Sequence, residues 1–250
     1  MNKLNWMIAK EWLLQKLFHK PIRVRDSWAP TPAKFQDMVE FLNWFDVTNS
    51  VTNTVQKAEV DWRFRFASFP YYKGMKKQTA LEIGFGGGRL LAQASKDFER
   101  VYGVDIHGSF DMSRRFLESQ GCANYTLLNR DQISSIPYGG VNFVYSFIVF
   151  QHFDSMDEVD YYIDHIERLL DKDGLAHIYF GKCKGEGIEV TPENRFKLRD
   201  CSLFISPPVM REYLERKFVV SAFEDSVPKN PHTGEGESVQ ALAVLKKKNG

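Results

Sequence analysis

The residues with the clearest chemical capacity lie between positions 82 and 105. Glu82 precedes glycines at 84, 86, 87 and 88, Arg89 follows them, and Asp105 stands after the next apolar segment. Glycines this close together let the backbone turn tightly, and let a ligand approach where Cβ atoms would block it. Carboxylates on either side can pair with an ammonium group and accept from hydroxyls. Ala80 to Ile83 reads as a strand, Leu90, Leu91 and Ala94 mark one side of a helix over 88–97, and Arg100 to Val104 reads as a second strand. Strand, glycine turn, helix, strand and acid form the front half of a nucleotide-binding crossover unit.

The glycine spacing narrows the ligand. A dinucleotide fingerprint requires Gly-x-Gly-x-x-Gly, so that amides and a helix N-terminus hold a pyrophosphate. Gly84 and Gly86 satisfy its first two positions, but Arg89 occupies the third. The chain instead has Glu82 followed by Gly84-Phe85-Gly86-x-Gly88. This pattern resembles motif I of the class I S-adenosylmethionine-dependent methyltransferases. The resemblance implies a cofactor with no phosphate, whose methionyl chain passes over Gly84, Phe85, Gly86, Gly88 and Arg89, with Glu82 near its ammonium. It also implies that Asp105, about 20 residues beyond the glycines, accepts from both ribose hydroxyls, and that Ile106 packs on adenine.

Further site candidates sit at strand ends, where ligands of open α/β sheets bind. The segment 124–129 leads into Asn129-Arg130-Asp131-Gln132, and the resemblance assigns Asp131 to the adenine amino group, with the Gln132 amide beside it. Val141 to Ser146 leads into Phe147-Ile148-Val149-Phe150-Gln151-His152, which resembles motif IV. Ser146 and Phe147 then flank the methionine part of the cofactor. The chain has no Asn-Pro-Pro-Tyr, no Pro-Cys nucleophile pair and no carboxylate pair of the metal-dependent catechol enzymes. Gln151 stands where cyclopropane synthases carry Glu. Methyl transfer from a sulfonium is an in-line displacement that needs alignment and exclusion of water. A hydroxyl acceptor also gains from a general base, and His152 is the candidate, because imidazole titrates near neutrality. His107 is expected near the adenosine and His177 in packing.

The elements that position these residues alternate after residue 76. Strands are expected at 79–83, 100–104, 124–129, 141–146 and 175–180, and helices at 88–97, 109–120, 156–171 and 207–216. Gly121 and Gly174 suit helix C-termini, and Ser155-x-x-Glu158 reads as a capping box. Two closing strands near 217–223 and 238–246 are joined by a polar loop, which permits antiparallel pairing. The fold expected is α/β: a Rossmann-like seven-stranded, mostly parallel sheet with an antiparallel last strand, helices on both faces and an N-terminal helical cap. Residues 1–76 form the cap and 77–250 the cofactor-binding core. In the cap, Thr31-Pro32 reads as a helix start. Val47, Val51, Val55, Ala58 and Trp62 suggest a second helix, and 64–72 an aromatic-basic connector.

Composition sets wider bounds. The 250 residues suit one α/β domain with an extension. With 33 basic and 32 acidic residues there is no global charge to attract nucleic acid. Three cysteines without ligand spacing fit a reduced, cytoplasmic protein that binds no metal. Residues 1–20 read as a basic amphipathic helix that docks on its own domain, touches a membrane surface without inserting stably, or serves as a targeting segment. The expected activity is transfer of a methyl group from S-adenosylmethionine to oxygen on a small molecule or glycan, without a metal. The alternatives are N-methylation of a small molecule or protein, and a non-catalytic cofactor-binding partner subunit. Acceptor contacts are expected from Arg63, Arg65, Tyr71 and Tyr72, or from Arg195, Lys197 and Arg199. Oligomeric state is not legible.

Overall fold

The computed structural model describes residues 22–29, 35–183, 185–191, 193–194 and 201–248. The helix expected over 1–20, the Thr31-Pro32 start and Arg195, Lys197 and Arg199 lie outside them. A two-residue strand β1 (Ile22–Arg23) and one helical turn α1 (Val24–Ser27) come first. Helix α2 (Met38–Phe45) follows, capped by Asp37, whose carboxylate accepts from the Glu40 N–H at 2.8 Å. Helix α3 (Val51–Trp62) is capped by Ser50. Val47 therefore falls between two helices and is 84% exposed, outside the helix expected to contain it.

The connector expected over 64–72 is helical. Residues Arg63–Ala67 continue α3 as a π-turn, and Pro70–Gly74 forms a short helix α4. The wider turn brings Trp62, Arg65 and Phe66 inward together, and all three are buried.

Strands β2 (Thr79–Ile83), β3 (Arg100–Asp105), β4 (Tyr125–Asn129), β5 (Val141–Ser146), β6 (Leu170–Gly181), β10 (Phe218–Glu224) and β11 (Gln240–Lys247) form one seven-stranded sheet in the order β10-β11-β6-β5-β2-β3-β4. Strand β11 runs antiparallel to both neighbours, and the other pairings are parallel. The antiparallel strand thus lies inside the sheet between β6 and β10. Between β6 and β10 the short strands β7 (Ile188–Val190) and β9 (Leu203–Ile205) pair with each other, and β8 (Glu193–Asn194) pairs with β1.

Period-two alternation divides the sheet into unlike faces. One face carries Leu81, Ile83, Val144, Ala176 and Ile178 beneath helices α7 (Met156–Leu169) and α8 (Pro207–Glu215). The other carries Phe143, Tyr145 and Tyr179 beneath Trp62, Phe66 and Tyr72, together with α5 (Arg89–Asp97) and α6 (Phe110–Ser119). Each of these large side chains contributes about 1.5–3 kcal/mol on full burial, so residues 38–74 are fixed to the sheet by a shared aromatic core. His177 sits in that core, where burial pushes its pKa down to about 3, and it hydrogen-bonds Tyr71 at 2.8 Å.

Two expectations change. Gly174 lies within β6, where a Cβ would come 2.8 Å from the Val141 carbonyl, so it permits strand approach rather than ending α7. Ser155 makes no side-chain cap bond. Glu158 accepts instead from the Asp154 N–H at 2.9 Å, and its other oxygen is taken by Arg25.

Candidate active site

The chain runs β2-β3-β4 outward, then returns with β5 on the other side of β2. This reversal opens a crevice at the carboxyl ends of β2 and β5, the usual ligand position in such sheets. A cavity of about 150 Å³ lies there. Glu82, Gly84, Phe85, Gly86, Arg89, Asp105, Ile106, Phe147 and His152 all line it. Residues far apart in sequence meet there because each follows or ends a neighbouring parallel strand.

The glycine turn needs its glycines. Gly84, Gly86 and Gly88 have φ of 77°, 50° and 90°, a region that L side chains rarely adopt. A Cβ on Gly84 would come 2.3 Å from Val149, and one on Gly87 would come 2.8 Å from Leu42 of α2. Cap and core therefore touch at the turn itself. The Gly86 N–H donates to Asp105 Oδ2 at 2.8 Å, and the Ile106 N–H donates to Oδ1 at 2.7 Å. Those bonds aim the Asp105 carboxylate, which is 8% exposed and keeps lone pairs to accept from a ligand.

Glu82 occupies the cavity floor on the aromatic face, opposite Tyr145 in the β2–β5 register. The Tyr145 hydroxyl donates to Glu82 Oε2 at 3.0 Å. Burial pushes the Glu82 pKa up to about 8, against the opposing pull of that bond and of Arg89, with Asp105 adding to the rise. An arriving cation would favour the ionised form.

Arg89 bridges cap and core. Its guanidinium meets Asp61 at 2.7 Å and Asp46 at 3.4 Å, while Asp61 also meets Arg65 at 3.0 Å and Asp46 meets Lys57 at 2.6 Å. Charges alternate along this chain, so each carboxylate lies between two cations. Arg65 stacks over Phe147 at 4.6 Å.

The opposite wall is built differently. Ile148 has φ of 59°, an outlier for a β-branched residue. The strain sits on the cavity wall, between Phe147 and the short 3-10 turn Phe150–His152. The His152 ring lies 4.6 Å from Trp28, and Arg25 binds Glu158 at 2.7 Å, so α1 and the residue after it line this side of the cavity.

Some expected residues lie elsewhere. Ser146 is fully buried and donates to the Ile83 carbonyl at 2.9 Å, tying β5 to β2 outside the cavity lining. Gly88 caps α5 with its back to Leu117. Asp131 and Gln132 are exposed on the 3-10 turn after β4 and do not line the cavity, and the Gln132 amide oxygen accepts from the Asn129 N–H at 2.9 Å as part of a capping box. None of Arg63, Arg65, Tyr71 and Tyr72 lines it either. Arg65 and Tyr72 are spent on holding the cap, Tyr72 through Asp97 at 2.6 Å. His107 lies beneath the glycine turn, completely buried. Sequence reading missed Trp28, Phe45 and Asp46, because no local spacing ties them to the turn.

The comparisons with known proteins agree with this geometry. Residues 81–178 match the family model described as a methyltransferase domain, a span that runs from β2 into β6. No curated protein matches the chain. Among solved structures, a methyltransferase of Leishmania major described as dependent on S-adenosylmethionine superposes with a TM-score of 0.61 at 17% identity, over 89% of this chain and 81% of that one. The 1,6-didemethyltoxoflavin-N1-methyltransferase of Burkholderia thailandensis, solved with its substrate and S-adenosylhomocysteine, gives 0.52 at 16% identity, over 92% and 94%. The mitomycin 7-O-methyltransferase gives 0.57 at 16% identity over 84% of this chain, which spans 57% of that protein's length. At these identities the likeness is one of fold. With the domain match over the glycine turn and the strand ends, residues 81–178 form a methyltransferase domain, carried on the fold that these neighbours share.

Proposed function

We propose that the protein methylates an oxygen of a small molecule or glycan, without a metal, with residues 1–76 serving as a cap on the core. The observation that carries this reading is His152 on the cavity wall beside Trp28. An imidazole there can take the proton of a hydroxyl as it attacks. S-adenosylmethionine supplies an electrophilic methyl group on a sulfonium.

The residue types suit that cofactor. Glu82 is a buried carboxylate for its ammonium, and Asp105 offers acceptors to ribose hydroxyls. Gly84 and Gly86 keep Cβ atoms out of its path, Gly88 starts α5 against Leu117, Phe85 packs below and Arg89 holds the cap. Ile106 and Phe147 give apolar contact for adenine and the methionyl chain. Ser146 acts by joining β5 to β2. A contact from Asp131 or Gln132 to adenine requires the base to extend beyond the cavity to the end of β4. At about 150 Å³ the cavity is smaller than the ~300–1,000 Å³ of typical ligand sites. Loading therefore displaces side chains such as Val149, which fills the space over Gly84.

A second reading, amine methylation, draws on Asp46, Glu82, Asp105 and Glu158, four carboxylates lining the cavity against two guanidiniums. Asp46 and Glu158 are neutralised by Arg89 and Arg25, and the cofactor engages the other two. That leaves no carboxylate for an ammonium acceptor and favours the hydroxyl.

Calorimetric titration with S-adenosylhomocysteine tests the site. Wild type binds, and Asp105→Ala loses about a hundredfold in affinity, the scale of two hydrogen bonds to a charged group. Absence of wild-type binding sinks the site assignment. Transfer of labelled methyl into small-molecule fractions of cell extract, with mass spectrometry of the product, separates oxygen from nitrogen.

A further inference from the structure

His107 is the one buried histidine in contact with the glycine turn, among the described residues. Its Nδ1 accepts from the Ser109 backbone N–H at 3.0 Å. A backbone N–H only donates, so Nδ1 is the bare nitrogen and Nε2 carries the proton. Nε2 lies 2.9 Å from the Gly86 carbonyl oxygen, which also accepts from Ser113 Oγ at 3.1 Å. With the Gly86 N–H on Asp105, both polar groups of this residue are bonded to the segment 105–113.

The ring is held against rotation. It contacts Phe85 and Phe110 at 5.1 Å from the core, and Phe45 at 5.0 Å and Phe41 at 6.4 Å from α2. The turn, the ribose-side acid and the cap helix thus meet at one imidazole. Gly86 has φ of 50° and no side chain, so its conformation depends on what its carbonyl and N–H bind. Nothing in the Glu-x-Gly-x-Gly-x-Gly spacing asks for a histidine at 107.

We infer that His107 is a positioning residue for the cofactor: its Nε2–H fixes the Gly86 carbonyl and thereby sets the glycine turn and the Asp105 carboxylate for binding. The inference rests on the proposal that this turn holds S-adenosylmethionine. The imidazole donates and accepts from different atoms, so the two jobs can be separated. In His107→Gln the side-chain amide nitrogen reaches about as far as Nε2 and keeps the donor. In His107→Asn the amide oxygen stands near Nδ1, keeping the Ser109 bond and losing the one to Gly86.

The probe is S-adenosylhomocysteine, titrated calorimetrically into wild type and both variants, with thermal unfolding run alongside. His107→Gln is expected within about threefold of wild type, and His107→Asn about tenfold weaker at a similar unfolding temperature, the scale of one buried hydrogen bond. Equal affinity in all three proteins overturns the inference, as does equal weakening in both variants, which means packing alone. If a variant does not fold, the wild-type ring nitrogens decide by 15N NMR. A protonated Nε2 that exchanges slowly supports the inference, and a protonated Nδ1 overturns it. Failure of wild type to bind would count against the cofactor site itself, and the ring spectrum would still report on the Gly86 bond.

Discussion

The two walls of the cavity are made by opposite means. The glycine wall comes from one stretch, residues 82–113, and its polar groups are bonded to one another: Gly86 to Asp105, His107 and Ser113, and Asp105 to Ile106. The facing wall is gathered from Arg25 and Trp28, the end of α2, residues 147–153 and the start of α7. It contains the backbone outlier Ile148 and the side chain that fills the space over Gly84. A preformed wall costs little to order when a ligand arrives, and suits a donor that never changes. A wall assembled from separate segments can be altered one segment at a time, and suits the acceptor.

The largest effect should come from the rigid wall. Glu82 has its folded pKa raised to about 8 from an unfolded value near 4.5. Its contribution to stability is therefore complete below the unfolded value and is lost as pH rises through about 8. Wild type without cofactor should lose about 1.4 kcal/mol per pH unit from this group between pH 5 and 8. Glu82→Gln should match wild type near pH 5 and exceed it by several kcal/mol at pH 8 in urea unfolding. Parallel profiles would mean that Glu82 is not buried without its cation. Saturating S-adenosylhomocysteine should narrow the gap, since its ammonium favours the carboxylate.

The facing wall is probed by His152→Ala, once an acceptor is known. Turnover should fall about a hundredfold, while affinity for S-adenosylhomocysteine stays within about threefold of wild type. Unchanged turnover removes the base and puts amine methylation ahead of oxygen methylation. The smallest effect concerns the joint between the walls. Arg89→Met leaves Asp46 and Asp61 without their shared cation. Because these groups are 14–20% exposed, the cost should be about 2 kcal/mol, less than for a fully buried pair. An unchanged urea midpoint would mean that aromatic packing alone fastens the cap.

The glycine wall was legible because its parts are local. Glu82, three glycines of positive φ and Asp105 stand at spacings set by one strand, one turn and one helix, so periodicity located them. The strands of the main sheet followed for the same reason, apart from β6, whose start at Leu170 replaces the expected end of α7. Among the cap residues the reading failed in detail. Arg65 and Tyr72 resemble acceptor contacts by type, yet the π-turn after α3 rotates Arg65 onto Asp61 and Phe147. Nothing in the order of amino acids signals that the turn widens there.

The sequence alone determined the sheet and the glycine turn, because strand and helix periods and glycine backbone freedom act over a few residues. Tertiary structure alone decided that Glu82 is buried beside Tyr145, that Arg89 is committed to Asp46 and Asp61, that His107 grips Gly86, and that Trp28 meets His152. Those outcomes depend on which surfaces exclude water together, and chain neighbours do not fix that.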